Sequence, residues 1–377
     1  MNRSAILRRL GSIGVQHFMR EYWQRKPLLI RAAWPDFTPP IDRARLFELA
    51  RDTQAESRLI TSFDGRGLLK HGPFLRLPSL QRAHWTLLVQ GVDLLDKSAR
   101  DLLSRFRFVS DARLDDLMVS FATDGGGVGP HVDSYDVFLL QASGRRRWRI
   151  SRQRGLRAKQ GSSINNVTGF RASGEWVLDP GDMLYLPPGV AHEGIAVGEC
   201  MTYSIGFRAP RFQQLLEPWF ADYAEHANAR RRYTDSGARA TARPAALSGR
   251  MTQQIHAELA RYKPAERDTE RFLLRHLSEP KATTIFDAPV KTRSAMRFKQ
   301  RAAARGLTLD RRTRMIYSKA AIGINGEWIK PPLAAMATLK TLADQRALSA
   351  LQAQRAPAST WALLHGWHSA GWIASVD

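Results

Sequence analysis

The sequence predicts a mainly β core of barrel or jelly-roll type, then an all-helical segment, then a winged-helix-like C-terminal module. Three observations carry this. Between residues 115 and 208, short apolar runs (DLMVSFA, YDVFLLQAS, RRRWRI, GEWVLDPGD, MLYLPPG, MTYSIGF) alternate with turn signals, roughly every 8–15 residues, as in antiparallel barrels. From Phe212 the apolar period changes to that of helices, through FQQLLEPWFADYAEHANARRRY. After residue 291 short helical patterns surround INGEW, a hairpin with Asn325-Gly326 at its turn. The corresponding domains are 1–210, 211–290 and 291–377.

Taken in order, Phe18, Tyr22 and Trp23 have helical spacing, and KPLLIRAAWP reads as a strand with Leu28 to Ile30 as its buried run. A helix is expected over Arg43 to Arg51, and another through Leu94 to Phe106. His71 and His84 have no ligand partner at useful spacing and read as loop or surface residues. Gly181-Asp182 and Pro187-Pro188-Gly189 form tight turns within the strand-rich region. Beyond it, MTQQIHAELARY and ERFLLRHLSEP are helices, separated from the first by the linker TDSGARATARPAALSG. The apolar stripe Leu215, Trp219, Tyr223 must be buried against the core or a second copy of the chain. His226, His256, His276, His365 and His368 lie on these and later helices without an acidic partner pattern, and read as surface or packing residues.

The chain has 377 residues and 44% hydrophobic content, enough for two or three domains with proper cores. The single cysteine, Cys200, excludes an intramolecular disulfide and any multi-cysteine metal site. No stretch approaches the ~18 apolar residues of a membrane span. The opening MNRSAILRRLGSIGVQHFM lacks the apolar run of a secretory signal. A soluble cytoplasmic protein without membrane partners is expected. Lysine and arginine number 57 against 35 acidic residues, for a net charge of +22. That field attracts polyanions, and rRNA or a ribonucleoprotein is the natural candidate, with an arginine-rich solvated surface as the plain alternative.

The chemistry concentrates between Ser120 and Ile150. His131 and Asp133 are two residues apart, so on a strand they enter one face together. His192 follows the Pro-Pro-Gly turn and supplies a third ligand from a neighbouring strand. Two imidazoles and one carboxylate form the facial triad that holds Fe(II) and leaves positions open for a cosubstrate and O₂. A dicarboxylate cosubstrate also needs a cation for its far carboxylate. Strand alternation sets Arg146 opposite to Arg145 and Arg147, and its guanidinium offers a bidentate fork. Ser120 is placed to add a hydroxyl. The Gly125-Gly126-Gly127 run lacks the Lys-Ser/Thr ending of a phosphate loop and reads as a mobile lip or a close approach of backbone to substrate.

The run GGGVGPHVDSYDVFLLQASGRRRWRI, together with YLPPGVAHEG and YSIGFRAP, resembles the bacterial ribosomal oxygenases, in the Jumonji-C branch of the cupin-fold oxygenases. The resemblance extends to YWQRKPLLI and to the later helical and winged segments. It implies a double-stranded β-helix core, a helical dimerisation segment and hence a homodimer. It also implies His131, Asp133 and His192 as iron ligands, with Ser120 and Arg146 binding 2-oxoglutarate. The implied reaction hydroxylates an arginine of large-subunit ribosomal protein sixteen at its 3-position, giving succinate and CO₂. Relatives in higher organisms hydroxylate histidine, which stays open here. A cationic substrate needs local acid, for which Asp124 and Asp136 are the candidates. Two rivals remain: a non-catalytic cupin scaffold, and an RNA-binding protein working through the basic run Lys291–Arg305.

Overall fold

The computed structural model describes residues 6–63, 66–153, 155–159, 166–227, 231–234, 236–237, 245–289 and 294–376. Residues 228–230 of the helix expected to 233, half of the linker after it and the first three residues of the basic run at 291 lie outside these, and the described helix ends at His226. Ten strands of the described residues form one antiparallel sheet. They are β1 (Leu28–Ile30), β2 (Ser57–Phe63), β3 (Arg66–His71), β4 (Trp85–Val89), β5 (Leu114–Ala122), β6 (His131–Val132), β7 (Asp136–Ser151), β8 (Gly174–Leu178), β9 (Met183–Leu186) and β10 (Ala191–Phe207). The order is β1-β9-β7-β10-β5-β4-β2-β3, with β8 on β7 and β6 on β10.

The two long strands shape the core. β7 and β10 pair from Asp136↔Phe207 to Ser151↔Ala191, with the register shifting between Val197 and Met201. At the shift Gly144 has φ +60°, and a Cβ there would overlap the carbonyl of Glu199, so glycine is needed for the sheet to fold over on itself. Alternation along β7 then sorts side chains into two layers. Phe138 and Leu140 join Phe18, Tyr185 and Phe207 in the large outer core, while Val137 and Leu139 join Trp148 and Leu184 inside the fold.

Short helices cover the outer face: α1 (Val15–Glu21), α2 (Arg43–Leu49), α3 (Val92–Leu95) and α4 (Lys97–Ser104). The helix expected over 94–106 is therefore two helices. Asp96 is extended, with ψ 131°, and its carboxylate accepts from the backbone N–H groups of Ser98 and Ala99; it caps a new helix rather than continuing the old one. The expected helix at Arg43 stops at Leu49.

Beyond the sheet come α5 (Phe212–His226), α6 (Gly249–Leu259), α7 (Glu266–Ser278), α8 (Ala295–Arg305), α9 (Leu333–Gln345), α10 (Ala350–Gln354) and α11 (Trp361–Ser369). α5 runs through Pro218 without breaking. The wing is a three-stranded meander rather than a two-stranded hairpin: β11 (Met315–Tyr317), β12 (Ile322–Ile324) and β13 (Glu327–Ile329). Its second turn uses Asn325 and Gly326, both at positive φ, as the Asn-Gly signal requires. Phe298, Leu339, Leu364 and Trp367 lie in the core of this module. His276 and His368 stack on Phe272 and Phe298, whereas His226 and His256 are exposed.

Candidate active site

β6 places His131 directly opposite His192 on β10, and Asp133 follows on the same face. The imidazole centroids are 4.2 Å apart, and Nε2 of His192 is 3.6 Å from Oδ2 of Asp133. One donor atom from each of the three residues lies within 4.8 Å of the others. Backbone carbonyls orient both rings: Nδ1–H of His131 donates to Gly129 O (2.9 Å) and Nδ1–H of His192 to Val190 O (3.0 Å). That tautomer leaves each Nε2 as a lone-pair donor, the form a metal takes. Burial, seconded by the neighbouring His131, pushes His192 down to about 3, so its ring is neutral at physiological pH. Burial pushes Asp133 up, against the opposing influence of His131 and the Tyr135 hydroxyl. A half-buried carboxylate beside two imidazoles that each present Nε2 fits a dication, whose charge offsets that desolvation.

The triad faces a cavity of about 400 Å³ inside the fold. Arg146 stands in its wall and is only 5% exposed, whereas Arg145 and Arg147 point out to solvent. Nε and Nη2 of Arg146 are buried and have no hydrogen-bond partner among the described residues. Such a cation is costly to bury unless an anion joins it, so the donor set fits the far carboxylate of a dicarboxylic acid. Ser120 and Thr202 complete this end. Oγ of Ser120 donates to Thr202 O (3.2 Å), and Oγ1 of Thr202 donates to Gln141 Oε1 (3.0 Å). Trp148 stands between Arg146 and the triad, its ring 5.9 Å from that of His192.

The two acidic candidates are corrections. Asp136 is fully buried on the outer face of β7, where it accepts from the Tyr185 hydroxyl (2.6 Å), Gln24 Nε2 (3.0 Å) and Arg113 Nη2 (3.0 Å). Asp124 is exposed and accepts from Gly198 N (2.8 Å), bracing the turn at the register shift of β10. Neither lines the cavity. The glycine run is not a free lip either. Gly125 N donates to Ala196 O (3.0 Å) and Ala196 N to Gly126 O (2.9 Å), and a Cβ at Gly127 would sit 2.5 Å from Gly194 O. It is a close backbone approach that fixes the edge beside His131.

Sequence reasoning missed several lining residues. Met118 and Ser204 lie two positions from Ser120 and Thr202 on the same strand faces, so the alternation already in hand pointed to them. Tyr135 likewise lies two before Val137. Arg58, Gln90 and Lys281 carry no such signal, because strands and segments far apart in the chain bring them in. The acid near the cavity is Glu56, in its wall, and Asp116, which accepts from Gln90 and Lys281.

The description "JmjC domain" matches residues 101–215, which hold the triad, Ser120 and Arg146, and "ROXA-like winged helix" matches residues 253–374. Residues 101–215 thus match a JmjC domain and residues 253–374 a ROXA-like winged helix. The chain is similar to the ribosomal protein uL16 3-hydroxylase of Escherichia coli, 42% identical over 209 residues that make up 55% of each chain. It is also similar to a probable ribosomal oxygenase of Haemophilus influenzae, 35% identical over 212 residues, 53% of this chain and 51% of that one. The chain matches about half the length of these curated relatives. Over the whole length the fold resembles the crystal structure of E. coli YcfD, with a TM-score of 0.85, 28% identity, and coverage of 98% of this chain and 100% of that one. A structure of YcfD, a ribosomal oxygenase, in complex with cobalt and 2-oxoglutarate, gives a TM-score of 0.84 at the same identity and coverage.

Proposed function

We propose that this chain is an Fe(II)- and 2-oxoglutarate-dependent dioxygenase that hydroxylates an arginine side chain of ribosomal protein uL16, the large-subunit protein sixteen, at the 3-position. The observation that carries the reading is one cavity with His131, Asp133 and His192 on its wall and the unpartnered, buried guanidinium of Arg146 beside them. The three ligands would hold the iron. Arg146 and Ser120 would take the far carboxylate of 2-oxoglutarate. Bound together with O₂, iron and cosubstrate supply an oxidant: the cosubstrate loses CO₂ and keeps one oxygen atom as succinate, while the other becomes the hydroxyl on a substrate C–H.

The chain's own part is binding, orientation and exclusion of water. Val137, Leu139 and Trp148 make the inner wall apolar near the triad. The cavity is polar at both ends: Arg146 stands at one, and Glu56, Arg58, Gln90 and Lys281 at the other, with the Asp116 carboxylate held behind Lys281 and Gln90. A side chain with an aliphatic stem suits the apolar wall, and a cationic tip would find the carboxylates of Glu56 and Asp116 beyond it, which favours arginine over histidine. The relative named a uL16 3-hydroxylase supports the same ribosomal protein and the 3-position.

The domain division at 210 and 290, a homodimer through the helical segment, cytoplasmic action, and rRNA contact through exposed Arg297, Lys299 and Arg305 of α8 belong to the same proposal. No helix of the described residues is long and apolar enough to cross a membrane. The test is conversion of 2-oxoglutarate to succinate with Fe(II), together with mass spectrometry of ribosomal proteins from cells with and without the chain. A gain of one oxygen mass on a single uL16 arginine peptide is expected, and His131→Ala or Asp133→Ala abolishes it. Turnover surviving either substitution removes the triad assignment.

A further inference from the structure

Residues 279–289 leave α7 and pass the end of the cavity lined by Glu56, Arg58 and Gln90 before the C-terminal helices begin. Arg312 of the winged-helix module fastens this segment. Its guanidinium donates to Ile285 O and to the Asp287 carboxylate (2.8 Å), and stands 5.8 Å from the Phe286 ring. From the fastened segment Lys281 reaches the cavity wall, and its Nζ lies 2.7 Å from Oδ2 of Asp116. Asp116 is only 3% exposed and shares the inward face of β5 with Met118 and Ser120, which line the cavity. Two more donors reach the same oxygen: Gln90 Nε2 at 2.7 Å and Gly91 N at 3.2 Å. Among the described residues no donor reaches Oδ1. Gly206 lies beside it, where even a Cβ would keep 3.4 Å.

We propose that Lys281 is a positioning residue for the substrate: it holds Asp116 by Oδ2 and so leaves Oδ1 as the acceptor for the substrate's guanidinium. The inference rests on reading the cavity as that of an arginine hydroxylase. Three donors on one oxygen fix the rotation of a carboxylate that would otherwise turn about its Cβ–Cγ bond. Burial works against the ammonium, but Asp116 and Asp115 outweigh it and hold Lys281 above the ordinary lysine range, so the cation persists. The residue type matters as well. An ammonium is a point donor that engages one oxygen, whereas a guanidinium fork spans both oxygens of a carboxylate and would close Oδ1 to the substrate. Because Arg312 anchors the segment, the C-terminal module contributes directly to substrate placement.

The test uses the full chain and two uL16 peptides, one with the target arginine and one with alanine in its place. Binding is read by fluorescence anisotropy with 2-oxoglutarate under anaerobic conditions, and turnover by hydroxylated product. K281M is expected to raise KM and Kd for the arginine peptide on the order of tenfold, more than it lowers kcat, and to leave binding of the alanine peptide as in the wild type. Where K281M fails to fold, K281R keeps the charge and carries the test, its fork raising KM for the arginine peptide. Equal losses on both peptides show a merely structural role and overturn the proposal. A fall in KM overturns it too, by showing Lys281 to be a competitor, as does a wild-type KM in K281R. A wild-type chain that never hydroxylates the arginine peptide overturns the underlying reading, and the inference with it.

Discussion

Arg146 shows how far one residue can be read from the sequence. Its Nε and Nη2 have no partner among the described residues, which leaves them free for the carboxylate of the proposed cosubstrate. Truncating one member of a buried charge pair costs about 2–5 kcal/mol. Arg146→Met is therefore expected to raise KM for 2-oxoglutarate by about 30-fold to several thousandfold, measured as succinate formed over a range of 2-oxoglutarate concentrations; an unchanged KM removes the residue from this role. The sequence marked Arg146 as opposite to its neighbours, and alternation is what the strand delivers. Counting in twos from Val137, however, would have turned Arg145 and Arg147 inward. The irregularity at Gly144 reverses the parity, which no pairwise spacing reveals. The same counting explains the error at Asp136: it shares its face with Phe138 and Leu140, so it points into the outer core and satisfies Gln24, Arg113 and Tyr185 there. Lys281 was illegible for a different reason. Nothing local relates it to Asp116, 165 residues away.

Secondary-structure elements were legible where period and turn chemistry agreed, and less so where a cap intervened. Asp96 interrupts an apolar pattern that reads as one helix over 94–106, because its carboxylate holds the first N–H groups of α4. Asp96→Ala should cost about 1 kcal/mol at pH 7 by denaturant unfolding. Burial pushes the Asp96 carboxyl up, but hydrogen bonds from Ser98, Ala99 and Arg45 outweigh it and hold the folded value below the ordinary 3.8. A depressed folded value adds stability above the unfolded value, lost as pH falls through the folded one. The gap between wild type and Asp96→Ala should thus be full at pH 6 and narrow below about pH 3.8; a gap independent of pH excludes the carboxylate as its source. In α5 the expected stripe of Leu215, Trp219 and Tyr223 is half-buried, while Phe212, Leu216 and Phe220, four apart on one face, remain 88%, 48% and 55% exposed. Asp222 ties the helix to Arg271 and Arg275 of α7 and leaves that face outward. An apolar stripe of this kind matches a second copy of the chain. If the proposed homodimer forms through this face, Phe220→Glu should convert it to a monomer in light scattering without lowering helix content, and an unchanged mass would exclude this face as the contact.

At the scale of the whole molecule, the JmjC domain and the winged helix are joined by arginine side chains that end on backbone carbonyls. Arg314 Nη2 donates to Leu114 O at 2.6 Å, Arg311 Nε to Leu94 O at 2.6 Å, and Arg107 Nη2 to Ala343 O at 2.9 Å near the end of α9. A cation at a helix C-terminus meets both the free carbonyls and the negative end of the dipole. Asp111 holds Arg107 in place, with Nε 2.7 Å from its Oδ1. This is one use of the chain's arginine excess that overall charge could not disclose: part of the positive surface counted toward polyanions is spent between domains. The consequence reaches the site, since Arg312 of the same module fastens the segment that carries Lys281. Arg107→Ala frees the α9 carbonyls and the Asp111 carboxylate, at a cost of about 1–3 kcal/mol. Hydrogen exchange should quicken first in the last turn of α9 and in residues 279–289, with KM for the uL16 peptide rising and KM for 2-oxoglutarate holding. The Arg146 end of the cavity is built within the sheet alone, and only the Lys281 end depends on the C-terminal module. Equal rises in both constants would mean that the two ends are not separable in this way, and that the winged helix supports the barrel as a whole rather than its substrate end.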